Sequence, residues 1–326
     1  MNDFQQNTGL DTKKGTVAVV ALGGNSITRE FEEGNITQQF ANTRQSLIGV
    51  LELIKKGYRI AITHGNGPQV GNYLIRVEET RHLVPPLPLG IIVADLQGGM
   101  GYMIQQSLQN KLHLRGIERE VATLLTQVIV DKDDPSIVNP TKFVGPFISK
   151  EDIHEVVTKR GWVVKEDPGR GYRRVVPSPA PLEIVEKDTI RDLINNDVIL
   201  ICSGGGGIPV YVTPQGTYEG VDAVIDKDLA AAALARDIGA EDLYILTAVE
   251  KVALNFRKPD EILLDKLTVE EAKKYLAEGQ FPMGSMGPKV QAAINFLETG
   301  GKLVVISSIE KTREAIHGET GTRIVA

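Results

Sequence analysis

The sequence predicts an α/β protein in which helices cover a mainly parallel sheet, with a smaller lobe inserted near its middle. Short β-rich apolar runs alternate with longer stretches of helical periodicity along most of the 326 residues, the pattern of strands joined by helical crossovers. Between Asp131 and Pro181 that texture changes. Pro135, Pro140, Pro146, Pro168, Pro177 and Pro179 break up the segment, yet apolar residues stay frequent, so it reads as an inserted lobe and not a linker. Hydrophobic residues at 42% and charged residues at 24% are ordinary for a chain that buries a sizeable core.

Thr16 to Leu22 reads as a buried strand ending in Gly23-Gly24-Asn25. From Gln38 to Lys56, Phe40, Leu47, Val50, Leu51 and Ile54 recur at helical spacing, and Gly57 stops the helix. Tyr58 to Thr63 is a second strand, followed by His64-Gly65-Asn66-Gly67-Pro68 and a helix through Arg81. Leu89 to Leu114 is helical despite Gly98, Gly99 and Gly101, which close helix–helix packing, as across a dimer interface, would explain. Glu120 to Val130 reads as one third strand, and the lobe carries β-like pieces at Trp162 to Lys165 and Arg173 to Val176. Regular alternation then resumes. Helix Lys187 to Asn196 leads to strand Asp197 to Cys202, the run Gly204 to Gly207, helix Asp226 to Ile238 and strand Leu243 to Val249. Helices Val269 to Ala277 and Gly287 to Glu298 precede strand Lys302 to Ser307, and a helix and strand close the chain. The expected organisation is a polar tail over residues 1–14 and one domain over 15–326, with the lobe at about 131–181.

Composition excludes several classes of function. A net charge of −6 argues against general nucleic-acid binding, so any bound anion must be held by a few placed cations. Cys202 is the one cysteine, closing the run Val198 to Ile201, and reads as a small buried hydrophobe. No apolar stretch approaches the ~20 residues of a spanning helix, and Met1 to Lys14 lacks a signal-type apolar core. The expected location is the cytoplasm, with no membrane partner.

Three strands end in glycine-rich loops: Gly23-Gly24-Asn25, Gly65-Asn66-Gly67 and Gly204-Gly205-Gly206-Gly207. In a parallel sheet the carboxyl ends share one edge, where ligands bind. Glycine lets backbone N–H groups approach an anion closely. Each loop alone could be a tight turn; three at equivalent ends favour an anion site. Neither the dinucleotide fingerprint nor the Walker A pattern is present. Lys227 sits in the helix start Asp226-Lys227-Asp228-Leu229, and Lys289 in the helix start Gly284-Ser285-Met286-Gly287-Pro288-Lys289. A lysine there opposes the helix dipole unless an anion is near. One such lysine is ordinarily a solvated surface residue; two beside three such loops read as a phosphate clamp, the arrangement phosphoryl transfer needs. Asp228 would hold the lysines or help orient Mg²⁺. Asn139-Pro140-Thr141-Lys142 sets a lysine beside a rigid turn, and Gly169 to Arg174 reads as a solvated basic hairpin.

Together these segments resemble the carbamate kinase family of the amino-acid-kinase fold. The resemblance rests on ALGGN (Ala21 to Asn25), THGNGPQVGN (Thr63 to Asn72), NPTK (Asn139 to Lys142) and GRGYRRVVPSP (Gly169 to Pro179). It continues in CSGGGGIPV (Cys202 to Val210), VDAVIDKDLA (Val221 to Ala230), NFRKPDE (Asn255 to Glu261) and GSMGPKV (Gly284 to Val290). It implies an open three-layer αβα sandwich with a small protruding subdomain, usually a homodimer. It implies the reversible, Mg²⁺-dependent reaction of ATP and carbamate to ADP and carbamoyl phosphate. Gly23, Gly24, Asn25, Gly65, Asn66 and Gly67 would line the acceptor and phosphoryl site, joined by Gly204, Gly205 and Gly206. Lys142 would reach in from the lobe, Lys227 and Lys289 would neutralise phosphate charge, and Asp228 would organise the lysines. Thr247, Ala248, Lys227 and Lys289 would contact the nucleotide, with adenine near the Leu243 to Glu250 strand end and Lys258-Pro259-Asp260. Mg²⁺ would ride mainly on ATP phosphates. Ser26 and the run Thr247-Ala248-Val249-Glu250 differ from the commoner alanine and T-D-V-D-like residues. A kinase of an acylated amino acid and a nucleotide sensor without turnover are the alternative readings.

Overall fold

The computed structural model describes residues 15–24, 27–29, 32–167 and 171–326; the polar tail lies outside them. Strand β1 (Val17–Leu22) is apolar and buried at every position, as a strand covered on both faces must be. Asn35 caps α1 (Ile36–Lys55) reciprocally with Gln38. Then come β2 (Arg59–His64), α2 (Gly67–Thr80) and α3 (Leu89–His113), followed by β3 (Val121–Thr123) and β4 (Gln127–Val130). The next segment holds α4 (Pro135–Val138), β5 (Lys142–Ile148), α5 (Ile153–Arg160), β6 (Val163–Asp167) and β7 (Gly171–Val176). After β8 (Pro181–Ile184), α6 (Lys187–Asn195) and β9 (Ile199–Ile201), a 3-10 turn at Gly204–Gly206 leads into β10 (Ile208–Val212) and β11 (Tyr218–Gly220). Helix α7 (Lys227–Asp237) and β12 (Asp242–Thr247) precede β13 (Val252–Leu254), β14 (Ile262–Leu264) and β15 (Lys266–Thr268). Helices α8 (Val269–Ala277) and α9 (Met286–Glu298), β16 (Leu303–Ser308), α10 (Thr312–His317) and β17 (Thr322–Val325) complete the chain.

The central sheet runs β15-β17-β16-β12-β1-β2-β9-β3. Its neighbours pair in parallel except β16 with β17. Side chains of β1 alternate between two cores. Val17, Val19 and Ala21 pack with Ile190 and Ile194 of α6, Leu234 of α7, Ala272 of α8 and Phe296 of α9. Ala18, Val20 and Leu22 pack with Leu47 and Leu51 of α1, Ile104 and Leu108 of α3 and Ile316 of α10. A period of two inside one strand thus builds both faces of a three-layer αβα sandwich.

The sheet β5-β7-β6 is antiparallel. It is seated on the main body by a separate small core, in which Val144 and Val176 meet Val70 and Leu74 of α2 and Ile92 and Val93 of α3. Another sheet, β11-β10-β4-β8, joins the segments flanking the lobe.

The single strand expected over Glu120 to Val130 is two strands in two sheets. Gln97 of α3 sits at the break: its Oε1 accepts from the Thr126 amide at 2.8 Å and its Nε2 donates to the Thr126 carbonyl at 3.1 Å. The same carbonyl accepts from the Ile208 amide at 3.0 Å, so at Thr126 the chain leaves the central sheet and begins its pairing with β10. Gly101 also has an intrachain explanation, because a Cβ there would lie 2.3 Å from Thr123 of β3, whereas Gly98 and Gly99 face open space. No helix among the described residues is long and apolar enough to cross a membrane.

Strand β2 ends on His64, which is 1% exposed and lies directly under the glycine turn, since a Cβ on Gly204 would be 2.3 Å from its Nε2. Its Nδ1 is 3.3 Å from the Gly65 carbonyl, which assigns the proton to Nδ1. Burial pushes the imidazole pKa down to about 4; the Gly65 carbonyl opposes this and the Lys227 ammonium adds to it. Between that value and 6.5 the unfolded chain binds a proton the folded one refuses. This contribution is therefore complete above pH 6.5 and is lost as pH falls toward 4, on the order of 2–3 kcal/mol. Urea unfolding at pH 7 and pH 4.5 should show a smaller acid loss in His64→Gln than in the wild type. Equal losses would mean that His64 is not held neutral.

Candidate active site

Helices α2, α7 and α9 begin at the carboxyl edge of the sheet, and their first turns face a cleft of two adjoining compartments. The first, about 360 Å³, is lined by Gly23, Gly24, Thr247 and Ala248, with Ala253, Phe256, Phe281 and Met286 as apolar walls. The second, about 310 Å³, is lined by Gly24, Gly65, Asn66, Gly67 and Gly205 on the sheet side and by Lys142, Phe143 and Arg173 on the lobe side. Lys227 and Lys289 line both, at the junction.

The glycines allow this convergence. A Cβ on Gly65 would lie 2.9 Å from the Gly24 amide nitrogen and 2.9 Å from Lys227 Cδ, so two strand-end loops and the α7 lysine stem meet only because that side chain is absent. Gly205 has φ +68° and sits where a Cβ would be 2.1 Å from Asn66 Nδ2. Gly204 and Gly206 are buried behind it, against His64 and Ile225. Asn66 precedes α2 without capping it, and its buried Nδ2 has no hydrogen-bond partner among the described residues. Such a donor is costly unless a ligand oxygen takes it, on the order of 1–3 kcal/mol. Asn25 lies outside the described residues.

Asp228 organises the charge. Only 3% exposed, it accepts hydrogen bonds from Lys227 Nζ on one oxygen and from Lys289 Nζ on the other, the latter at 2.9 Å. Burial pushes its carboxyl up, but the two ammonium groups outweigh this and hold it at about 2. Burial lowers the Lys227 pKa; Asp228 opposes that shift and neighbouring Lys289 reinforces it. Lys289 also donates to the Ser285 carbonyl at 3.3 Å. Two cations against one carboxylate leave excess positive charge at three helix amino termini, an arrangement that suits a phosphate chain. From the lobe, Lys142 reaches Asp226 at 2.8 Å.

The cleft thus brings together Lys142, Lys227, Asp228, Lys289, Thr247, Ala248, Gly23, Gly24, Gly65, Asn66, Gly67 and Gly205; Gly204 and Gly206, expected there from the sequence, do not line it, because the turn packs them against His64 and Ile225. Lys258 to Asp260 do not line it; from that segment Phe256 does. Sequence reasoning also passed over Arg173, read there as part of a solvated hairpin. Alternation along β7 was the available signal, since Arg173 and Arg174 must point to opposite faces. Phe281 and Met286 carried no signal, being indistinguishable from core residues. Cys202 is buried, and burial pushes its thiol up to about 12, so it is inert.

Comparison with known proteins agrees with this geometry. The model of the amino acid kinase family matches residues 16–308. The carbamate kinase of Pyrococcus horikoshii is 48% identical over 308 residues, covering 94% of this chain and 98% of that protein. That of Clostridium perfringens is 45% identical over 311 residues, covering 94% and 99%. The carbamate kinase from Giardia lamblia bound to AMP-PNP superposes with a TM-score of 0.89 at 39% identity, covering 95% of this chain and 98% of that one. The chain is an enzyme of the amino acid kinase family and belongs to its carbamate kinases.

Proposed function

We propose that the chain moves a phosphoryl group reversibly between ATP and carbamate, giving ADP and carbamoyl phosphate. The observation that carries this reading is the convergence of Lys227 and Lys289 on the junction of the two compartments. The apolar first compartment suits a purine base, and the Giardia lamblia relative was solved with an ATP analogue. The second compartment, walled by the lobe, suits a small carboxylate beside the transferring group. A carbamate oxygen attacks the γ-phosphorus while the bond to the ADP oxygen breaks, and charge gathers on the three phosphoryl oxygens between. Lys227 and Lys289, fixed by Asp228 before the substrates arrive, meet that charge without reorganisation. Lys142 approaches from the lobe, and Gly65, Asn66 and Gly67 line the same compartment from the sheet side.

Among the described residues no cluster of three His, Cys, Asp or Glu could form a metal cage, and both oxygens of Asp228 are held by lysines. This donor set suits Mg²⁺ that arrives on the nucleotide phosphates, keeps most of its own water and adds positive charge there. In the cell we place the reaction in the cytoplasm, running toward ATP during arginine or purine catabolism. A homodimer built on the outer face of α3 fits Gly98, Gly99 and the exposed Ile91 and Tyr102; sedimentation as a monomer would remove it.

Purified protein with ADP, carbamoyl phosphate and Mg²⁺ should form ATP, and Lys227→Ala or Lys289→Ala should lower kcat by roughly 10²–10³-fold. Undiminished turnover in either variant would sink this mechanism. If ADP binds but no ATP forms, the activity is not carbamate kinase, and binding of N-acetylglutamate would point to an acylated amino acid as acceptor. Chelation with EDTA should stop turnover and added Mg²⁺ restore it; activity that persists in EDTA would exclude the metal.

A further inference from the structure

We propose that Asp226 is a positioning residue for phosphoryl transfer: one carboxylate caps α7 and at the same time aims the lobe lysine, Lys142, into the second compartment. The inference rests on the reading of Lys142 above. The two oxygens have separate partners. Oδ1 accepts from the amides of Asp228 at 2.9 Å and Leu229 at 3.4 Å, the ordinary work of a helix cap. Oδ2 accepts from Lys142 Nζ at 2.8 Å, across 84 residues of sequence.

The other end of Lys142 is fixed by its strand. Lys142 opens β5, paired with Val176 of β7, and the register shifts between Val144 and Phe147. Arg173 braces that irregularity. Its Nε and Nη2 donate to the Gly145 carbonyl at 3.2 and 3.0 Å, its Nη1 donates to Asp167 at 3.3 Å, and its guanidinium lies over Phe143 and Phe147. A lysine stem is long and loses much rotamer freedom when its tip is immobilised. Holding the tip at Asp226 makes most of that loss precede substrate binding. An ammonium has three donors, so one given to Asp226 leaves two for phosphoryl oxygens. Asp228 treats Lys227 and Lys289 in the same way, so two carboxylates at the start of one helix would align all three lysines.

Asp226→Asn separates the two roles, because the amide oxygen still caps the helix while the charge facing Lys142 is gone. The expected result is an unchanged thermal midpoint, an unchanged KM for ADP, and kcat/KM for carbamoyl phosphate lowered about tenfold or more. Introduced into Lys142→Ala, the same substitution should cost nothing further. The proposal is overturned if Asp226→Asn keeps full kcat/KM, if the loss is undiminished in the Lys142→Ala background, or if the ADP KM rises in parallel. Should Asp226→Asn not fold, Asp226→Ser, which retains a capping oxygen, is put through the same comparisons; failure of both to fold would show a cap alone and overturn the proposal. A Lys142→Ala variant with full turnover would overturn the reading of Lys142 itself, and the single variants tell these failures apart.

Discussion

A buried carboxylate bonded to two ammonium groups is the constraint around which this cleft is built. Removing Asp228 from water is expensive, on the order of several kcal/mol for an ion in a protein interior. The cost is offset only because Lys227 and Lys289 hold one oxygen each. That requirement fixes where α7 and α9 begin, since both lysines must reach the same carboxylate. Helix α7 meets it with a run of small residues, Ala230 to Ala233, all buried, which lets the helix lie close to the sheet. The position of the charge is therefore set by packing below it.

The same cluster accounts for the two compartments. Positive charge at the junction of an apolar cavity and a polar one defines where a phosphate chain would cross from base to acceptor. The sheet contributes strand-end loops on a rigid edge, where the Gly23 and Gly65 amides donate to the Leu246 and Leu22 carbonyls of neighbouring strands. The lobe contributes Lys142, Phe143 and Arg173 on a separate small sheet. One wall of the second compartment thus belongs to the main body and the other to the lobe. The contact between Val144 and Val176 of the lobe and α2 and α3 sets their spacing.

Much of this could be read from the chain because the relevant features are local oddities. Lysines at helix starts and glycines at strand ends violate ordinary preferences, and such violations mark function. The alternation of strand and helix likewise revealed the layered fold. Interactions between distant segments were not legible. Gln97 and Ile208, both from other elements, meet the chain at Thr126 where it changes sheet, and no pattern within Glu120 to Val130 discloses them. An acid at a helix start, as Asp226 is, has the form of an ordinary cap, and nothing local discloses that its second partner, Lys142, lies in the lobe. Phe256, Phe281 and Met286 line the first compartment, yet an apolar residue in a sequence does not say whether it meets a core or a ligand.

Those two classes of residue differ in what evolution of a binding site must control. The loops and lysines act through backbone and charge, which tolerate few replacements: a Cβ on Gly65 would strike both the Gly24 backbone and the Lys227 stem. The apolar walls act through shape, where similar volumes can substitute for one another. The run Thr247-Ala248-Val249-Glu250 sits at that boundary. Thr247 and Ala248 line the first compartment, while Glu250 turns away from it to accept from Thr320 Oγ1. The carboxylate at 250 is thus tied to the carboxyl-terminal segment, and the charge at the junction of the two compartments is left to Lys227 and Lys289, held by Asp228.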